Sequence, residues 1–203
     1  MKDSILIVGG SPFVNEVDLK RIDFEKYDIL AINRPPLGIP VKFLVAHDTD
    51  FRAVHSQQEV QAVLKQGLNP VFIAPKTEFI HETTGWKWKF DYISHSLEEK
   101  CLGFCLYTCS SALNFAYLKG YKNIYFVGVD LKEDNKPFTH WHGIVNNLGV
   151  PITCAKQAKE YLYQYKKWVN LYQVNPTVKD EWLCEYCPKE KLYDESTAAP
   201  ILI

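Results

Sequence analysis

Several short stretches hold residues whose types and spacing could do chemistry. Gly9-Gly10-Ser11-Pro12 follows the apolar run Ile5-Leu6-Ile7-Val8. Paired glycines let a ligand approach the backbone, and the turn could offer N–H groups and the Ser11 hydroxyl to a phosphate. The turn fits neither G-x-G-x-x-G nor G-x-x-x-x-G-K-[ST], so a standard dinucleotide site or P-loop is disfavoured, and a plain strand-to-helix turn stays open. His47-Asp48-Thr49-Asp50 sets two carboxylates two residues apart. Hard oxygen ligands in that spacing suit Mg²⁺ or Mn²⁺, although the spacing is common by chance.

Thr139-His140-Trp141-His142-Gly143 supplies two imidazoles. A positioned imidazole can take the proton of an attacking hydroxyl near neutrality, whereas a zinc site would need further ligands that the sequence does not place. An exposed aromatic loop is the plainer alternative. Cys184-x-x-Cys187 has no second half-site after it, which favours incidental thiols. Cys101, Cys105 and Cys109 lie four apart, as on one helix face, and read as small buried residues. No G-x-S-x-G elbow occurs, so a nucleophilic Ser or Cys is unsupported.

Positioning these groups falls to a series of short apolar runs that end in polar residues. Ile5–Val8, Tyr27–Asn33, Val41–Ala46, Pro70–Ala74, Asn123–Val129 and Leu171–Val174 read as strands, with a helix-compatible stretch at Gln57–Gln66. Near-continuous apolar strands separated by helices predict a Rossmann-like α/β fold, a mostly parallel sheet with helices on both faces. Thr108–Lys119 has helical spacing and stops at Gly120, and Ala155–Val169 carries Tyr161, Leu162, Tyr165 and Trp168 on one stripe. Strict alternation over Gly85–Tyr92 predicts an edge strand. In an open parallel sheet, ligands bind outside the carboxyl ends of the strands. Here those ends carry Gly9-Gly10-Ser11, Asn33-Arg34, His47-Asp48, Asp130 and Asn175.

Composition narrows the classes. With 203 residues, 47% hydrophobic, 23% charged and a net charge of -1, the chain reads as an ordinary globular protein. One nucleotide-binding domain over 1–178, with a tail at 179–203 packed on it, is the expected organisation. Near-balanced charge argues against nucleic acid as a partner. No window approaches the roughly 18 apolar residues of a membrane span. The apolar run after Ser4 is too short for an export signal, and the six cysteines then read as free thiols in a cytoplasmic protein. A homo-oligomer is compatible with the sequence but not required by it.

Three stretches resemble a known family. Ile5 to Asp18 (ILIVGGSPFVNEVD), the strand ending in Ile32-Asn33-Arg34, and Ser110 to Leu131 (SSALNFAYLKGYKNIYFVGVDL) look like the bacterial sialyltransferases that use CMP-sialic acid. Leu171-Tyr172-Gln173-Val174-Asn175-Pro176 is similar to the same family's last strand and Pro turn. Gly128-Val129-Asp130-Leu131 and Thr139-His140 also resemble the related motility accessory factors and hydroxymethylpterin pyrophosphokinase-like proteins.

The resemblance implies a metal-independent transferase that takes a sugar nucleotide and a glycan acceptor, without any other cofactor. Gly9, Gly10, Ser11, Asn33, Asp130 and Asn175 would bind the nucleotide. Arg34, His47, Asp48, Thr108 and Ser110 would contact the rest of the substrate, and His140, or else His142, would deprotonate the acceptor. The family has an Arg ahead of the long helix, where this chain has Leu106-Tyr107-Thr108. It has Tyr hydroxyls on the leaving phosphate, where this chain has no Tyr between Leu131 and Gly143, and its lid loop is longer. Two alternatives follow from these departures and from the related group. One is a pyrophosphokinase-like enzyme with Mg²⁺ on Asp48, Asp50 and Asp130; the other is a non-catalytic nucleotide-binding module.

Overall fold

A strand that is apolar on both sides is satisfied only inside a sheet covered on both faces. β1 (Ser4–Val8), buried along its whole length, is such a strand. The computed structural model describes residues 2–45, 65, 108–132, 152–181 and 184–197, with the strand segments 71–73, 79–80, 87–88, 93–94, 102–103, 138–139 and 145–146. After β1 come β2 (Tyr27–Ile32), β3 (Phe43–Val45) and β4 (Val71–Ile73). Short pieces follow: β5 (Phe79–Ile80) pairs with β6 (Lys87–Trp88), and β7 (Ile93–Ser94) with β8 (Leu102–Gly103). Helix α1 (Thr108–Leu118) leads into β9 (Asn123–Val127). β10 (Phe138–Thr139) pairs with β11 (Val145–Asn146) before α2 (Ile152–Gln164), β12 (Asn170–Gln173) and β13 (Glu185–Tyr186).

The main sheet has seven strands in the order β13-β12-β9-β1-β2-β3-β4. Every neighbouring pair is parallel. The chain therefore builds outward from β1 to β4, then returns to the other side of β1 and builds outward again.

Side chains divide by the period of two. Ile5, Ile7, Leu30, Phe43, Val45, Ile124, Phe126 and Leu171 face one way and join residues of α1 and α2. Leu6, Val8, Ile29, Ala31, Leu44, Tyr125 and Val127 face the other way. Residues Cys109 to Ala116 of α1 are all buried. A helix buried nearly all round needs small residues for close approach, and Ser110, Ser111, Ala112 and Ala116 supply them. The second face is covered by the 3-10 turns Pro12–Glu16 and Leu19–Arg21 and by the C-terminal segment, so the two coats are helical in different ways. Cys187 and Leu192 are buried on that face, and an Ile22–Tyr193 bridge with Asp23 N–H to Leu192 O at 2.9 Å ties the segment down.

Several of the described aromatic residues fill this core. Tyr27, Tyr121 and Tyr165 are among the largest fully buried side chains, and Tyr125 stacks on Tyr172 at 4.5 Å. Helix α2 starts earlier than its apolar stripe indicates and tightens at its end into a 3-10 turn at Tyr165–Lys167. Of the three evenly spaced cysteines, Cys109 is buried in α1, and Cys101 and Cys105 lie outside the described residues. Of the alternating stretch, Lys87–Trp88 is extended, and the rest lies outside the described residues. The Gln57–Gln66 stretch lies outside them too, apart from helical Lys65.

At the amino-terminal rim of the sheet, an open hollow of about 770 Å³ is lined by Lys2, Lys26, Asp28, Lys42 and Asn123 among others. It is closed underneath by an ion network rather than poised for chemistry. Asp28, 6% exposed, takes Lys42 Nζ at 2.7 Å, Lys2 Nζ at 3.4 Å and the Tyr121 hydroxyl. Burial raises the Asp28 carboxyl, but the hydrogen bonds from Lys42 and Tyr121 and the charges of Lys42 and Lys2 outweigh it and hold it below its ordinary value. A lowered folded pKa adds stability above the unfolded value near 4, and that stability is lost as pH falls through the folded value. Asp28→Asn should therefore be less stable than wild type at pH 7, with the gap narrowing toward pH 3 in urea titrations. An equal gap at both values would show that the network contributes no charge-dependent stability.

Candidate functional site

The strand order reverses between β1 and β9, and open parallel sheets bind ligands at the carboxyl ends of strands beside such a reversal. There the two loops touch. Gly9 N–H donates to Val127 O at 2.8 Å and Ser11 N–H to Gly128 O at 2.9 Å. Only glycines fit this approach. A Cβ on Gly9 would overlap Gly128 O and lie 2.7 Å from Val129 Cγ2, and a Cβ on Gly128, whose φ is +71°, would overlap Val14 Cγ2. Ser11 is 8% exposed. Its hydroxyl donates to Asp130 Oδ2 and accepts from Phe13 N–H at 3.2 Å, capping the turn that Pro12 begins.

Backbone strain gathers at the same rim. Asn33, at φ 60°, and Leu131, at φ 47°, are the described non-glycine residues with positive φ. Each follows a strand that ends at the rim, β2 and β9. Asn tolerates this conformation, while for Leu it costs about 1–2 kcal/mol. Such strain persists where the surroundings enforce it, often at functional sites. Asn33 N–H donates to Val45 O at 2.8 Å, extending the β2–β3 ladder by one bond.

β12 ends at the rim through Gln173, which is fully buried. Its Nε2 donates to Val129 O at 3.1 Å, and its Oε1 accepts from Asn175 N–H at 3.1 Å. Asn175 uses its own Oδ1 to cap the following turn, accepting from Thr177 N–H and Oγ1 at 2.9 Å each, so its side-chain NH₂ is what it can offer a ligand. Helix α1 runs back against the strands to reach the start of β9, so its first turn, with half-buried Thr108 and buried Ser110, lies at the carboxyl rim. Ser110 Oγ is buried without a hydrogen-bond partner among the described residues. First-turn N–H groups and the helix dipole there favour an anion.

Comparison with protein-family models and with curated sequences gives no match. Solved structures do match. The sialyltransferase CstII from Campylobacter jejuni in complex with the substrate analogue CMP-3FNeuAc aligns over 96% of this chain and 89% of its own, at 12% identity and TM-score 0.57. CST-II with a trisaccharide acceptor and CMP aligns over 92% and 86%, at 13% and 0.55. The monofunctional alpha-2,3-sialyltransferase Cst-I from Campylobacter jejuni aligns over 91% and 80%, at 16% and 0.52.

The chain has the fold of these sialyltransferases.

On the sialyltransferase fold, Gly9, Gly10, Ser11, Asn33, Arg34, Asp130, Asn175, Thr108 and Ser110 all fall at the carboxyl rim. His47, Asp48, His140 and His142 lie outside the described residues. Gln173 was not singled out from the sequence. The signal was a polar residue in an apolar strand, one step before its end. Cys184 and Cys187 flank two-residue β13 and pack in opposite cores, so they cannot share a metal. Burial pushes the Cys184 thiol up to about 12, against a small pull from Lys166, and also raises Cys187. Among the described residues no three His, Cys, Asp or Glu side chains gather as metal ligands, and no helix is long and apolar enough to cross a membrane.

Glycine dependence can be separated into strain and overlap. At Gly120, φ +86° with open space around it, alanine meets strain alone, about 1–2 kcal/mol. At Gly128 it meets strain plus overlap, about 2–5 kcal/mol. Urea unfolding of the two alanine variants checks the order; equal losses would refute the close approach. For Ser11→Ala and Asp130→Asn, a double-mutant cycle should give about 1–2 kcal/mol of coupling, and additive losses would mean the pair does not bind the loops together.

Proposed function

We propose that this chain is a sialyltransferase-type glycosyltransferase, which moves a sialic acid-like sugar from a CMP-activated donor to a glycan hydroxyl with inversion. The observation that supports it most is the rim itself. The ends of β1, β9 and β12 are hydrogen-bonded into one ledge at the order reversal, on a fold shared with enzymes solved with CMP and with a trisaccharide acceptor.

On this reading, Gly9, Gly10 and Ser11 present backbone to the nucleotide, and Asn33, Asp130 and Asn175 supply polar groups to it. Arg34 and the α1 first turn, with Thr108 and Ser110, meet negative charge on the donor, since guanidinium and helix N–H groups favour phosphate and carboxylate. As the bond from the anomeric carbon to phosphate breaks, its electron pair leaves with CMP and positive charge develops on the sugar. The acceptor oxygen attacks from the opposite side and gives its proton to His140, or to His142. Free thiols at buried Cys187 and half-buried Cys184 support a reducing, cytoplasmic setting.

Ligand stabilisation follows mass action. At a hundredfold excess over Kd, CMP should add about 2.7 kcal/mol, roughly 5–10 °C in melting temperature for a chain of this size, with little shift from UDP or ATP. His140→Ala should keep the CMP shift and lose about 10²–10⁴ in transfer from CMP-sialic acid. Unchanged turnover would remove the role given to His140. Activity abolished by a chelator, or an ATP shift exceeding that of CMP, would favour the pyrophosphokinase-like alternative; CMP binding without transfer to any acceptor would favour a non-catalytic module.

A further inference from the structure

We infer that Gln173 is a positioning residue, one that sets the loop after β9 and the segment after β12 in register so that Asp130 and Asn175 face one nucleotide. This rests on the nucleotide-binding reading above. The side chain is fully buried, on the same sheet face as Leu171, and uses both ends of its amide. The NH₂ end holds Val129 O, the carbonyl immediately before Asp130, at 3.1 Å. The oxygen end holds Asn175 N–H, also at 3.1 Å. On the far side of Asp130 the carboxylate is fixed by Ser11, and beyond Asn175 the Asn175 side chain is fixed by Thr177. One hydrogen-bonded line therefore runs Ser11–Asp130, Val129–Gln173–Asn175–Thr177, and Gln173 is its link between β9 and β12.

A donor and an acceptor at the end of a two-methylene stem are both required, and this selects Gln. Leucine fills similar space but leaves a buried carbonyl and a buried N–H unpaired. Ionised Glu accepts from Asn175 N–H but sets a negative oxygen against Val129 O. Protonated Glu restores one donor and one acceptor, and in a buried site its carboxyl titrates above the ordinary range.

The test measures CMP binding by calorimetry for wild type, Gln173→Leu and Gln173→Glu at pH 5 and pH 8.5, as variant-to-wild-type ratios so that titration of CMP itself cancels. Melting temperatures identify any variant that fails to fold. Gln173→Leu is expected to bind at least tenfold more weakly at both pH values. Gln173→Glu is expected to match wild type within a few-fold at pH 5 and to fall at least tenfold at pH 8.5. A Gln173→Glu ratio that does not change with pH, or a Gln173→Leu variant that binds as wild type does, overturns the positioning role while leaving the nucleotide site standing. Absence of CMP binding by folded wild type overturns both.

Discussion

The contact between the ends of β1 and β9 is the constraint on which the rest of the structure depends. Two parallel strands at the middle of a sheet can each send a loop toward the same ligand only if the loops pass without side chains between them. Gly9 and Gly128 make that passage, and the bonds Gly9–Val127 and Ser11–Gly128 continue the strand ladder past the sheet's edge. The left-handed turn at Gly128 then leads to Asp130, which Ser11 holds, and to the positive φ of Leu131. Remove the close approach and Asp130 has no fixed position relative to the glycine turn.

The two coats of the sheet support this rim differently. On one face, α1 and α2 run against the strands, so their amino termini and the partial positive charge of those ends lie at the carboxyl rim. On the other, short turns and the C-terminal segment lie flat over Tyr27, Tyr125 and Tyr172, fixed by Leu192, Tyr193 and Cys187. Burial raises the Tyr27 hydroxyl to about 12 and also raises Tyr125, Tyr172 and the Cys187 thiol, so these groups stay uncharged near neutrality and act as packing. The rim differs in that its polar groups are held by hydrogen bonds.

Much of the sheet was legible in sequence because burial on both faces forces apolar runs, and polar residues return where a strand leaves the core. That logic located Ser11, Asn33, Asp130 and Asn175 at one rim. It could not find Gln173, because its polarity is spent on two backbone groups from segments 44 residues and 2 residues away along the chain. Periodicity reports which face a residue takes, not which carbonyl waits there. The C-terminal coat gave little signal either, since short 3-10 turns have too few residues to show a period.

A rim of this construction also bears on how such a fold can be shared with a solved structure at 12% identity. Backbone N–H groups, glycine clearances and the direction of helix dipoles depend on the path of the chain more than on the identity of side chains. The path in turn asks only for apolar residues of suitable volume, a requirement many sequences meet. Side chains that must carry protons have no such freedom, and the candidates for that role in the sequence, His140 and His142, lie outside the described residues. On a fold of this kind the path of the backbone and the side chains that set a reaction are separate requirements, and either can change while the other is kept.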